Sequence, residues 1–419
     1  MSRLFADLTP LRVSPPYRRL WAALGISNIG QQMAAVAVGL QVWDITRSSF
    51  MVGLVGLASL IPLVGFGLYG GSLSDAFDRR TVGFLSAVGL WVTSALLLLQ
   101  SLAGWSNVWV LYLIIGLSSA FFAIGNPARH AITPRLIEPD LLPSANALGM
   151  LTWNLGFTLG PVLGGVLVAA TGTVTTAYAV DVAAFGIVAW AMFRLPKLPP
   201  IVVEGAERPR AGWASVREGF AFLRGKRNLQ MTFYLDMVAM VFGMPRALFP
   251  AIAAQWYGGS TADIALVLGL LSAAPAAGAL LSGVLSGWLA RVRWQGRAIV
   301  IAIVVWGLTI AAFGVVRTLW IALLLLAIAG AADNISAVFR TTMLQAATPD
   351  DYRGRLQGIF TVVVAGGPRL GDVEAGTVAA LGGEMVSVVS GGVICIAGAV
   401  GLAAKYPGFL RYDARHPVP

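Results

Sequence analysis

The chain has 419 residues, of which 57% are hydrophobic and 11% charged, with a net charge of +10; a soluble domain carries roughly 45–50% apolar and about 25% charged residues. Apolar residues dominate and Cys395 is the single cysteine, which excludes disordered, collagen-like and disulfide-stapled classes. With two histidines beside that cysteine, no usual ligand set for a zinc, haem or iron–sulfur centre exists, so no metal or cofactor is expected.

Residues 1–16 read as a polar tail, with Arg3, Asp7 and Arg12 but no apolar core of a cleavable signal. A membrane helix takes about 20 mostly apolar residues. Charge-free runs of that order lie at 20–43, 48–74, 81–128, 141–180, 264–290 and 385–404. The third run breaks at Gly104-Trp105-Ser106-Asn107 and the fourth at Thr171-Gly172-Thr173, which starts a span ending near Phe193. Shorter or charge-bearing runs near 229–256, 298–316, 318–339 and 357–383 complete twelve predicted helices. The fold class is therefore an all-α integral membrane protein.

The longest polar stretch, 196–228, separates 17–195 from 229–405, each with six predicted spans, and 406–419 forms a second tail. Within the linker Trp213, Val216, Phe220 and Leu223 recur at helical spacing among Arg217, Arg224, Lys226 and Arg227, which predicts a short amphipathic helix on the membrane surface. With the N-terminus cytoplasmic, 25 of the 29 lysines and arginines fall on cytoplasmic segments, and only Arg47 and Arg317 on external loops. The positive charge thus encodes topology, with both termini cytoplasmic and the lipid bilayer as partner. Nucleic acid is not expected.

The two halves repeat weakly. Gly71-Ser72-Leu73-Ser74-Asp75 matches Gly283-Val284-Leu285-Ser286-Gly287, Ala131-Ile132-Thr133-Pro134 matches Ala346-Ala347-Thr348-Pro349, and Gly160-Pro161-Val162-Leu163-Gly164 matches Gly367-Pro368-Arg369-Leu370-Gly371. Three matches in one order, at nearly one offset, indicate a parallel six-plus-six duplication.

The stretch Gly71-Ser72-Leu73-Ser74-Asp75-Ala76-Phe77-Asp78-Arg79-Arg80 resembles the signature loop of the major facilitator superfamily. Gly156, Gly160, Pro161, Gly164 and Gly165 resemble the antiporter motif of its drug exporters. Asn126-Pro127-Ala128-Arg129, Arg353-Gly354-Arg355 and Gly366-Gly367-Pro368 resemble a narrower branch, that of the enterobactin exporter and macrolide efflux. The resemblance spans about residues 17–405 and implies a cytoplasmic gate at Gly71, Asp75, Arg79, Arg80 and Arg129. Gly287 stands where the second-half copy would need Asp75, so that gate charge belongs to the first half alone. Glycines 156, 160 and 164 also share one helix face, which permits close backbone approach, and Pro161 weakens one helix bond.

Ionisable groups within spans are costly and face a partner or a wet cavity. They are Asp181 in the sixth span, Asp236 and Arg246 in the seventh, Asp333 in the tenth, and Arg369, Asp372 and Glu374 in the eleventh. These seven are the candidates for proton coupling or substrate contact, with Asp333 first, Asp236 second and Glu374 third. Asp181 also reads as a capping or interfacial carboxylate near a helix start. The spacing pairs Arg369 with Asp372 as a bridge on one face, and puts Arg340 on the face of Asp333 but out at the cytoplasmic interface. Asn28, Gln31, Gln32 and Asn154 read as cavity lining or as hydrogen bonds between helices; Met150, Trp153 and Phe157 beside them fit ordinary packing or an adaptable apolar lining.

The resemblance implies a monomeric secondary exporter of amphipathic small molecules, drug or siderophore, exchanging them for protons by alternating access. An importer or facilitator on the same fold is the alternative. No GxxxxGK[ST] loop, HExxH or GxSxG occurs, so neither ATP hydrolysis nor an enzyme activity is expected. The topology is directly testable: with Cys395 replaced, single cysteines at Ser215 and Ser106 are expected to react with an impermeant thiol reagent from opposite sides of the membrane. Labelling from the same side contradicts it.

Overall fold

With no water in a bilayer core, each backbone N–H and C=O must be bonded within its own segment, and an apolar chain satisfies that as helix. The structure is a computed structural model that describes residues 7–199, 221–348, 350–413 and 415, with backbone alone at 68–72, 74–76, 288, 290, 350–355 and 357–362. The predicted amphipathic segment around Trp213, Val216 and Phe220 lies outside the described residues.

Among the described residues twelve long helices follow one another: α1 (Pro15–Thr46), α2 (Ser49–Ala76), α3 (Arg79–Leu102), α4 (Val108–Leu136), α5 (Leu142–Thr171), α6 (Thr175–Phe193), α7 (Arg227–Phe242), α8 (Thr261–Val284), α9 (Gln295–Val315), α10 (Leu319–Ala347), α11 (Asp350–Gly382) and α12 (Glu384–Lys405). Eleven candidate spans among those residues are long and apolar enough to cross a membrane. The twelfth long helix, α11, has 33 residues and holds Arg369, Asp372 and Glu374. The one extended pairing among the described residues joins Trp294 to Asp413.

The chain forms two compact units. The first comprises Met1–Ile45, Ala58–Gly212 and Thr261–Gly269; the second comprises Thr46–Leu57, Trp213–Ser260 and Leu270–Pro419. In the first unit α3 packs against α4 and α6, around a core that includes Leu20, Leu90, Ile132, Phe185, Val188 and Met192. Its N-terminal segment is anchored as well: the Tyr17 hydroxyl donates to the Ala145 carbonyl at 2.9 Å and Ser144 donates to Asp7 at 3.1 Å.

Small residues set the closest helix crossings. A Cβ at Gly160 would lie 2.5 Å from the Gln32 Cβ and 2.9 Å from the Ile29 carbonyl, and one at Gly164 would lie 2.9 Å from the Met33 Cα. The spaced glycines of α5 therefore seat its backbone on α1. On another face, Gly165 meets the beginning of α8, where a Cβ would be 2.5 Å from the Ala265 carbonyl and 3.1 Å from the Gly269 Cα.

In the second unit α9 packs against α10 and α12, while α11 packs against α7 and α12. The first turns of α2 belong to this unit, and there Ser49 donates to Glu384 at 2.9 Å. Gly243 and Pro245 interrupt the span begun by α7, which resumes through a tight turn at Arg246–Leu248, a helical turn at Phe249–Ile252 and a wide π-helical turn at Ala253–Tyr257. The break leaves carbonyls without helical partners, and Trp306 Nε1 donates to that of Gly243 at 3.0 Å.

Part of the segment 406–419, read as a tail from sequence, folds back on the bundle. Phe409 and Tyr412 are buried, and Arg293 bridges Asp413 at 2.8 Å.

A side chain at Gly164 has to displace α1 backbone, whereas Gly149 of the same helix has nothing within 4 Å of its added Cβ. Gly164→Leu is expected to destabilise the detergent-solubilised protein by about 1–3 kcal/mol through overpacking, read as a lowered thermal midpoint. Gly149→Leu is expected to leave the midpoint unchanged.

Candidate functional site

The charge cluster of the second unit is built by α7 and α10. Asp236 lies mid-way along α7 and is 2% exposed; Arg340, seven residues beyond Asp333 on α10, is 3% exposed. Arg340 Nη1 forms a buried ion pair and hydrogen bond with Asp236 Oδ1. Its Nη2 reaches Asp333 Oδ1 at 3.5 Å, and the Asp333 side chain retains 36% exposure. One guanidinium thus serves two carboxylates, held tightly by the buried one and loosely by the open one. The fork of donors on an arginine makes such double service possible; an ammonium has no matching geometry.

This corrects the expectation that Arg340 lies at the membrane interface. The sequence did put Arg340 and Asp333 on one face, but the carboxylate that draws the arginine inward comes from α7, 104 positions away. Around the cluster, Asp236 Oδ2, Arg340 Nε and Ser336 Oγ are buried without a hydrogen-bond partner among the described residues. A low-dielectric site with unsatisfied polar atoms responds strongly to a proton or a polar ligand. Asn334, next to Asp333, donates to Ser282 of α8 at 3.0 Å and extends the polar surface.

A second ion pair lies where α7 is broken. Arg246 donates from Nη2 to Asp372 Oδ2 at 2.5 Å and from Nε to Oδ1 at 3.4 Å, a two-point contact with an Asp372 side chain that is 7% exposed. Asp372 thus has a salt bridge to Arg246, a partner that sequence spacing on α11 did not reveal. Arg369 donates to the Ala365 carbonyl at 2.5 Å. Gly53 and Gly56 of α2 press on this same turn of α11, where a Cβ at Gly56 would lie 3.0 Å from that of Asp372. Glu374 is half-buried and makes no hydrogen bond or ion pair with a described residue.

In the first unit Asp181 is not at a helix start. It is the seventh residue of α6, 3% exposed, and accepts from Ser94 Oγ at 2.5 Å. Asn28 is also no lining residue: its amide donates to the carbonyls of Thr152 at 3.2 Å and Trp153 at 3.0 Å, which fastens α1 to α5 beside Gly156. Gln31, Gln32 and Asn154 are half-buried. Met150, Trp153 and Phe157 are exposed on one face of α5, with the Trp153 and Phe157 rings 5.0 Å apart.

Of the residues read as a gate, Gly71 and Asp75 are described by their backbone alone. Asp78 caps α3 through the Thr81 amide at 3.2 Å and accepts from the Leu198 amide at 3.0 Å. Arg79 donates to the Ala131 carbonyl at 3.4 Å and Arg80 to the Phe193 carbonyl at 2.5 Å. Arg129 sits over the Phe122 ring, 5.1 Å from its centroid. Arg79 and Arg80 thereby tie the start of α3 to α4 and to the end of α6.

A family model described as transmembrane secretion effector matches residues 5–415. The enterobactin exporter EntS of Citrobacter koseri is 32% identical over 92% of this chain and 90% of its own length. That of a Shigella boydii strain is 32% identical over 92% and 89%. Among solved structures, the nucleoside transporter NupG aligns with a TM-score of 0.71 at 14% identity, covering 95% of this chain and 100% of that one. A bacterial homologue of the human lysosomal transporter Spinster aligns with a TM-score of 0.70 at 15% identity, covering 96% of each.

Removing Arg340 leaves the Asp236 carboxylate buried without its cation. Arg340→Gln is expected to cost about 3–5 kcal/mol, the usual penalty for breaking a buried pair from one side. Adding Asp236→Asn to that variant is expected to recover much of the loss. Thermal unfolding of the single and double variants measures the coupling, and additive losses contradict it.

Proposed function

This chain belongs to the transmembrane secretion effector family of the major facilitator superfamily, and from that premise we propose that it is a secondary active exporter of amphipathic small molecules, of the drug or siderophore kind, driven by proton antiport through alternating access. The enterobactin exporters among its relatives favour a siderophore or a similar metabolite. Its working organisation is two six-helix halves, 17–195 and 229–405, joined by the cytoplasmic segment 196–228, with both termini in the cytoplasm. It acts as a monomer in the cell membrane; substrate, protons and lipid are its partners.

The observation that carries the coupling is the division of labour around Arg340. Asp236 neutralises the guanidinium at close range and is buried, whereas Asp333 stands 3.5 Å away and is partly exposed. With Asp333 ionised the three groups carry a net negative charge; with Asp333 protonated they are neutral. A conformation that closes the cluster to water favours the neutral form; one open to the external side loads the proton, and one open to the cytoplasm releases it. Substrate and proton compete because a donor group of the substrate binds the same Asp333 carboxylate oxygens that the proton occupies. Asp372 is bridged to Arg246, so Asp333 and Glu374, which has no ion-pair partner among the described residues, are the acids best placed to titrate during transport.

Asp333→Asn keeps shape and hydrogen bonding but removes the proton. In proteoliposomes, uphill export driven by an imposed pH gradient is expected to fall to background, while downhill exchange of the same substrate persists. If the variants Asp236→Asn, Asp333→Asn and Glu374→Gln all retain proton-driven accumulation, the coupling assignment fails and these acids are structural.

A further inference from the structure

The first unit contains a buried acid that the coupling scheme above does not use. We infer that Asp181 is a separate proton-binding site of that unit, closed off from a polar pocket at the end of the bundle by a Tyr178–Gln41 latch.

Asp181 differs from the buried acids of the second unit in having no cation. Among the described residues, no lysine, arginine or histidine lies within 4.0 Å of its carboxylate, and its hydrogen bonding is limited to the 2.5 Å contact from Ser94. Oδ1 is buried and unpartnered. It points at α1, where a Cβ on Gly30 would lie 3.4 Å from it. The helices packed against it bring Gly30 from α1 and Ser94 from α3 to its level, and neither is titratable; Tyr178, one turn back on α6, is its titratable neighbour. A bare carboxylate with one donor, deep in a membrane bundle, is among the most expensive groups a protein can hold. Binding a proton removes the charge and adds no other atom, so the site needs no counter-ion.

The geometry also provides a route. Side chains on a helix lean toward its N-terminus, so Asp181 leans toward the turn of Tyr178. The Tyr178 ring is fully buried and its hydroxyl donates to Gln41 Oε1 at 2.7 Å. Gln41 and Gln100 exchange amide hydrogen bonds at 3.0 and 3.1 Å, which closes the latch with every polar group used. On the far side Gln41 borders a cavity of about 260 Å3 together with Asp44, Ser101, Ser106 and Thr173, in which Asp44, Ser106 and Thr173 are exposed. A proton therefore enters from water in this pocket when the Tyr178 hydroxyl leaves Gln41, lands on Asp181, and departs the same way.

Infrared difference spectroscopy of the lipid-reconstituted full chain, stepped in pH and exchanged into deuterated water, tests this without any substrate. The wild type is expected to show the carbonyl stretch of a protonated carboxyl that exchanges slowly. Asp181→Asn is expected to abolish that band and Asp333→Asn to leave it, which separates this site from the proposed transport coupling: loss of proton-driven export in the second variant has no bearing on the first. Ser94→Ala, which removes the single donor, is expected to shift the band. Tyr178→Phe keeps the ring but breaks the latch, and exchange is expected to speed roughly tenfold, the factor supplied by one net hydrogen bond. A band unchanged by Asp181→Asn or unmoved by Ser94→Ala overturns the site. Wild-type or slower exchange in Tyr178→Phe overturns the latch.

Discussion

Burying an arginine inside a membrane bundle is tolerable only beside a carboxylate, and Arg340 at 3% exposure is the point where this constraint shapes the molecule. Asp236 of α7 meets it at contact distance and Asp333 of α10 at 3.5 Å. The pairing joins two helices whose sequence positions lie 104 apart, so it fixes their rotation as well as their charge. Since one guanidinium faces two acids, the cluster is one negative charge in excess unless a proton or another group compensates. A membrane protein that retains such an imbalance keeps a group ready to titrate.

The remaining architecture keeps neighbouring backbones close. Helices in lipid gain little from the hydrophobic effect and associate through close contact of small residues. Gly160 and Gly164 seat α5 on α1, Gly165 meets the start of α8, and Gly56 meets α11 beside Asp372. The interruption at Gly243 and Pro245 has a different result: it ends the regular helix where Arg246 must turn toward Asp372, and Trp306 fills the hydrogen bond the break exposes. Broken helices with satisfied carbonyls are a recurrent device of transporters at membrane depth.

Much of this was legible from residue patterns. Charge-free runs gave the helices because a span is defined by what it lacks, and the glycine spacing of α5 announced a close crossing before its neighbour was known. The side-chain partners were less accessible. Spacing along one helix reveals local neighbours alone, so it offered Arg369 to Asp372 but not Arg246, and it sent Arg340 to the interface. The salt bridges of Arg246 with Asp372 and of Arg340 with Asp236 join segments distant in sequence, which periodicity does not encode. Asn28 is a case the sequence left open: a polar residue in a span reads equally as cavity lining or as a bond between helices, and its amide is spent on two carbonyls of α5. Docking of the segment around Phe409 and Tyr412 rests on two aromatics in a short polar context, too few for a periodic signal.

Coupling at the Arg340 cluster depends on which of its two acids exchanges a proton. Carbon-13 NMR of the aspartate carboxyls in lipid nanodiscs, assigned with the variants Asp236→Asn and Asp333→Asn and followed as the pH is lowered, addresses it directly. The Asp333 signal is expected to move with pH while that of Asp236, locked to the guanidinium, stays at its ionised position. Titration of Asp236 ahead of Asp333, or two signals that do not move at all, contradicts it.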